Sequence, residues 1–97
     1  MTGEGARRPP RPLIPSSCAS LRDFGVRVMR WGTGSAAARA RIATLTREEL
    51  EQAGLTRSMA EAWRDFYRNE LALNPDNPSA AGRAELMQRA VDLLVGE

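Results

Sequence analysis

No histidine and no lysine occur in this chain, and cysteine occurs once, as Cys18, so all fourteen positive charges are arginine. These absences exclude much familiar chemistry: imidazole proton shuttles, Schiff-base amines and paired-thiolate or histidine zinc sites all need side chains that are missing. A lone cysteine closes no internal disulfide, so packing must supply the stability. No apolar run approaches the roughly 18 residues of a membrane-spanning helix, and the N-terminus lacks the continuous apolar core of a signal peptide. The expected location is cytoplasmic, or outside the producing cell after delivery by a specialised secretion system. What remains is carboxylates, arginines, hydroxyls and amides. These groups bind anions and proteins, and they assemble into no specific catalytic signature; no cofactor and no metal site is implied.

With 97 residues the chain is one domain at most, too short to enclose a deep substrate chamber. Its net charge of +2 is unevenly placed. Residues 1–41 carry eight arginines against Glu4 and Asp23, and residues 42–97 carry six arginines against ten acids. A basic front half suits a polyanionic partner or self-association.

Residues 1–19 hold Pro9, Pro10, Pro12 and Pro15 with no apolar periodicity, which predicts a disordered or extended leader. From residue 20 to 97 the pattern is that of a single helical domain. Leu21, Phe24, Val28 and Trp31 recur at helical spacing behind a Ser20/Asp23 cap, predicting a helix over 21–31 that ends at Gly32. Ser35 is placed to cap an alanine-rich helix over 36–43, with Ile42 as its best buried residue. Thr46 and Glu49 form a capping-box pattern for a short helix stopped by Gly54, and Thr56 caps a longer one. The stripe Met59, Ala60, Trp63, Phe66, Tyr67 and Leu71 holds three of the five aromatics; Trp63 and Phe66 are expected in the core, with the Tyr67 hydroxyl at its rim. Asn74-Pro75-Asp76-Asn77-Pro78 breaks the chain before a last helix capped by Asn77. No segment alternates with period two. The predicted architecture is all-α, a bundle of four or five short helices.

The turn Gly54-Leu55-Thr56-Arg57-Ser58-Met59-Ala60 resembles a helix-hairpin-helix hairpin, with Thr56 in place of its second glycine. The resemblance implies a phosphate held by hairpin amides, a nucleic-acid reading in which Gly54, Thr56, Arg57 and Ser58 are the binding residues. A helix-turn-helix alignment of the same stretch fits less well, because Leu50 is bulky and Glu61 and Asp65 would face phosphates. Gly32-Thr33-Gly34 lacks the strand and lysine of a nucleotide loop and reads as a helix-to-helix turn. Glu61 and Asp65 lie at ion-pairing spacing to Arg64 and Arg68, the pattern of a salt-bridged surface.

Taken in succession, the segments at 31–34, 38–42, 45–50, 63–67, 74–80 and 83–87 make residues 21–95 similar to an uncharacterised small bacterial domain found at the C-terminal ends of polymorphic toxin-type proteins. That resemblance implies a place in a secretion or antagonism system. It carries over no active residue. The leading expectation is a helical binding module acting through protein contacts, with Arg64, Arg68 and the loop bearing Asn74, Asp76 and Asn77 as its exposed determinants. A nucleic-acid binder and a toxin-like enzyme without histidine or lysine are the alternatives.

Overall fold

Capping chemistry sets most of the helix starts. The structure, a computed structural model, describes residues 11–96. Ser20 Oγ accepts from the Asp23 amide at 3.1 Å, and the Asp23 carboxylate accepts from the Ala19 amide at 2.9 Å, closing a reciprocal cap over α1 (Leu21–Asp23). The chain continues without a break into a π-helical segment (Phe24–Met29), a wider coil that is uncommon and concentrates at functional sites. The helix predicted to reach residue 31 ends at Met29, because Arg30 turns left-handed at φ 52° ahead of Gly32.

Four further helices follow. They are α2 (Ala36–Ile42), α3 (Arg47–Ala53), α4 (Arg57–Leu73) and α5 (Ala80–Leu93). The capping box at Thr46/Glu49 is formed, Gly54 ends α3 at φ 87°, and Thr56 Oγ1 caps α4 by accepting from the Met59 amide. Asn77 Oδ1 accepts from the Ser79 and Ala80 amides, but α5 itself begins at Ala80 behind Ser79, two residues beyond the predicted cap. Ser35 departs from its expected role. Its hydroxyl donates to the Pro78 carbonyl and accepts from the Gly82 amide, tying the start of α2 to the start of α5 instead of capping α2.

The longest contact runs between α4 and α5, which the short 74–79 loop folds against each other, and α2 lies along the other side of α5. Ser35 against Gly82 and Arg39 against Glu85 set α2 and α5 side by side in the same direction. Trp63, Phe24, Met29, Leu50, Leu55, Leu86, Met87 and Leu94 fill the centre. Two packing expectations are corrected. Ile42 is only half-buried, and α2 buries Ala38 and Arg41 in its place. Phe66 is half-buried and Tyr67 is the buried ring: both pack on Trp63, at 5.4 and 5.8 Å between ring centres, and Tyr67 also meets Trp31.

Among the described residues there is no strand, and the expected all-α bundle is the observed one. The predicted leader boundary at 19/20 does not coincide with the edge of the packed unit. Residues 1–10 lie outside the described residues, but in 11–19 Pro15 is fully buried, Cys18 is buried, and the Leu13 carbonyl accepts from Trp63 Nε1 at 2.9 Å. Proline spacing was compatible with an extended tail; the indole N–H buried in α4 needed an acceptor, and this segment supplies it.

Candidate functional site

The arginines of this fold divide into two groups. Arg27, Arg39, Arg41, Arg47, Arg57, Arg64 and Arg68 each lie within 4.0 Å of a carboxylate. Arg11, Arg22, Arg30, Arg83 and Arg89 form no ion pair with a described acid. Four of those five line one groove of about 600 Å³, together with Leu21, Gly25, Val26, Trp31, Gly32 and Thr33, and no acid is among the described lining residues.

Its walls come from three parts of the chain. Arg22 in α1, Val26 in the π segment and Arg30 just beyond it all line the groove. Arg83 comes from α5 and Arg11 from the stretch before α1. Trp31 forms the floor. Its indole rests on Gly25, where a Cβ would sit 2.5 Å from Nε1, so only glycine permits this approach. Trp31 also meets Phe24 and Tyr67 edge-on at 5.8 and 5.4 Å, which fixes its plane from below.

Arg83 is the most constrained of the four. Its guanidinium sits 4.7 Å from the Trp31 ring centre and 5.7 Å from that of Tyr67, and Nη2 donates to the Gly32 carbonyl at 2.8 Å. Nε is buried and meets no protein acceptor. Burial pushes the Tyr67 phenol up, while the Arg83 charge pulls the other way. Two features of the backbone coincide with the groove: the π segment and the left-handed Arg30, a conformation that costs a non-glycine residue about 1–2 kcal/mol.

Chemically the groove can hold negative charge. The ionisable side chains among its described lining residues are all guanidinium groups, and Thr33 adds a hydroxyl. Among the described residues no cluster of acids and cysteine has the makings of a metal site, and no helix is long and apolar enough to cross a membrane.

The sequence-predicted determinants lie elsewhere and apart from one another. Gly54, Thr56, Arg57 and Ser58 stand at the start of α4, Arg64 and Arg68 in its middle, and Asn74, Asp76 and Asn77 beyond its end, roughly 24 Å of helix in all. At the hairpin the Gly54 and Leu55 amides donate to Glu51 and Leu50 carbonyls, and the Met59 amide to Thr56. Arg64 and Arg68 both donate to Gln88 Oε1 at 3.2 Å and pair with Asp65, so they join α4 to α5. Asn74 Oδ1 accepts from the Asp76 amide, and Asn77 Oδ1 from the Ser79 and Ala80 amides, so both amide side chains are engaged in building the turn. Arg22, Arg30 and Arg83 escaped the sequence reading. One signal was there: none of the three has an acid three or four residues away, unlike Arg27, Arg47 and Arg57.

Residues 2–94 match the family described as a domain of unknown function, DUF4951. The chain belongs to that DUF4951 family. A protein from Acinetobacter baumannii with an NMR structure is similar to it, at 37% identity and a TM-score of 0.69, over 90% of this chain and 80% of that one. No curated protein matches the domain. Membership agrees with the coarser half of the sequence resemblance, an uncharacterised small domain.

Proposed function

We propose that this DUF4951 domain is a non-catalytic binding module that takes an acidic segment of a protein partner into the arginine groove. One observation carries the reading: four arginines that pair with no described acid converge on a single cavity, and no carboxylate is among its described lining residues. An isolated cluster of like charge disfavours the free state and attracts an anion from outside, which favours encounter with acidic partners in particular. The apolar part of the lining, Val26 and Leu21, supports a peptide over a nucleic acid. Base recognition normally draws on exposed aromatic faces, whereas Trp31 is only 5% exposed and already carries Arg83 on its ring. The bacterial setting, a secretion or antagonism system, rests on the sequence resemblance to toxin-associated domains.

The test is fluorescence anisotropy with a labelled oligoglutamate peptide, an oligolysine peptide and a single-stranded oligonucleotide at several salt concentrations. The oligoglutamate binds and the oligolysine does not; Arg22→Glu with Arg30→Glu weakens binding at least about tenfold, since reversing charges at a steered interface removes attraction and adds repulsion. Absence of oligoglutamate binding overturns the proposal. Tighter binding of the oligonucleotide, lost on Arg57→Glu and retained in the Arg22/Arg30 variant, transfers the function to the helix-hairpin-helix-like turn.

A further inference from the structure

We propose that the arginine groove is one half of a two-part docking surface: the acidic segment it takes also seats a bulky apolar side chain in an adjoining cavity lined by Leu13 and Phe66. The proposal rests on the acidic-segment reading and adds the second anchor. The adjoining cavity measures about 460 Å³ and is walled by Pro12 and Leu13 from the stretch before α1 and by Ala62 and Phe66 from α4. Arg11 lines both cavities, so they are neighbours. Their aromatic walls are joined as well. Trp31, under the groove, meets Tyr67 at 5.4 Å between ring centres, and Tyr67 meets Phe66 at 5.3 Å. The Trp31 and Phe66 rings therefore stand at most about 11 Å apart, a distance that three or four residues of an extended chain cover at about 3.3 Å each. One short segment reaches both halves.

The two halves offer different chemistry. In the groove the described charges are four arginines, whereas the second cavity presents an aliphatic side chain and an aromatic ring. Leu13 is 76% exposed although its carbonyl is tied to Trp63 Nε1 at 2.9 Å, so a fixed backbone holds this side chain out in water. Phe66 is half-buried, with the Trp63 ring packed against it at 5.4 Å. An apolar side chain laid over Leu13 and Phe66 removes the remaining apolar surface of both from water. The acid on this wall, Asp65, is engaged by Arg64 at 2.9 Å, and it repels any further carboxylate brought beside it. The segment's acids therefore go to the groove and its apolar residue to the cavity. A nucleic-acid strand matches this layout poorly, because its unbroken row of phosphates would place charge against Leu13 and Asp65.

The experiment measures fluorescence anisotropy of three labelled peptides of equal charge on the intact domain. They are Phe-Ser-Glu-Glu-Glu-Ser-Phe within a serine-glycine frame, the same peptide with both Phe replaced by Ser, and a version with both Phe moved about ten residues outward along the frame. Phe on both sides of the acids serves either chain direction. The first peptide binds about tenfold more tightly than the other two, the gain expected from burying one large apolar side chain. Leu13→Ser and Ala62→Gln, both at exposed positions, remove that gain and leave the affinity of the serine peptide unchanged; circular dichroism verifies that both variants fold. Added salt weakens all three peptides and preserves the tenfold ratio, since the contacts in the second cavity are not ionic. Equal affinity for the first peptide and either control overturns the second anchor while leaving the acidic-segment function intact. A gain that survives both substitutions also overturns it, because the Phe then seats elsewhere. A dimer in sedimentation that Leu13→Ser dissolves gives the cavity to a second copy and overturns it likewise. If no glutamate peptide binds, the underlying function fails with it.

Discussion

Replacing Gly82 by alanine is expected to destabilise this domain, against the rule for exposed helix positions. Gly82 lies in the first turn of α5, where alanine ordinarily stabilises a helix by about 1 kcal/mol over glycine. A Cβ at this position would stand 2.6 Å from Ser35 Cα, 2.6 Å from Ser35 Cβ and 2.8 Å from the Ser35 carbonyl oxygen. Two of these atoms are backbone, so no rotamer change relieves the clash; α2 must move away from α5. The move strains packing by about 1–3 kcal/mol. It also loosens the Gly82 amide to Ser35 Oγ bond at 3.0 Å and the Ser35 Oγ to Pro78 carbonyl bond at 2.8 Å. Each is worth about 1 kcal/mol. Less the propensity gain, the loss comes to about 2–4 kcal/mol, or roughly 10–30 °C in Tm for a domain of this size. Thermal melts followed by circular dichroism measure it. Ser35→Ala with Gly82→Ala should melt close to Gly82→Ala alone, because the clashing atoms survive in alanine and the shared bonds are already lost. A Tm for Gly82→Ala equal to or above wild type would refute the close approach of α2 and α5, and with it the placement of Arg83 beside Gly32.

Arg41 is 7% exposed and donates to the Val28 and Met29 carbonyls, to Thr44 and to Glu49, so Arg41→Met should cost about 2–3 kcal/mol in denaturant unfolding by taking the donor from the two carbonyls and the cation from Glu49. Desolvation raises the Glu49 carboxyl, but bonds from Arg41 and Thr46 outweigh it and hold the group below its ordinary value of 4.5. A lowered folded value means that this stability is present above the ordinary glutamate range and is lost as pH falls through the folded value, so acid titration of stability should flatten below about pH 4.5 in Arg41→Met. Deleting residues 1–19 should lower stability by about 3 kcal/mol, through loss of buried Pro15 and Cys18 and of the acceptor for Trp63 Nε1. A truncated chain as stable as the full one would restore the boundary at 20 and show the Leu13 contact to be without weight.

Local signals were read well because their chemistry is local. The Thr46/Glu49 box, the Gly54 stop and the Thr56 cap each involve residues within four positions of one another, and each is formed. Assignments that depend on distant partners fared differently. Ser35 looks like a cap from its neighbours, yet its hydroxyl is taken by Pro78 and Gly82, more than forty residues away. Tyr67 and Phe66 are adjacent on one apolar stripe, and which of them is buried is decided by Trp31 and Arg83, contributed by other elements. Arg41 looks like surface charge on an alanine-rich helix, but it is buried by the carbonyls that the end of the π segment leaves open.

The same distinction explains why the candidate site was missed. Reading along the chain draws attention to clustered polar residues, and the clusters at 54–58, 64–68 and 74–77 are engaged largely in capping, bridging α4 to α5 and closing a turn. Local pairing neutralises charges that have opposite partners one turn away, as Arg27 with Asp23 and Arg47 with Glu51 show. A charge with no such partner must find one across the fold, as Arg39 does with Glu85, or remain available. Arg22, Arg30 and Arg83 take the second course, and they do so around one groove although Arg83 lies more than fifty residues from Arg30 in sequence. Independent surface arginines would be expected to scatter over the domain. Their convergence around a floor fixed by Gly25 and Trp31 coincides with a π-helical segment and a left-handed Arg30, and the proposed binding of an anionic segment would give that coincidence a physical purpose.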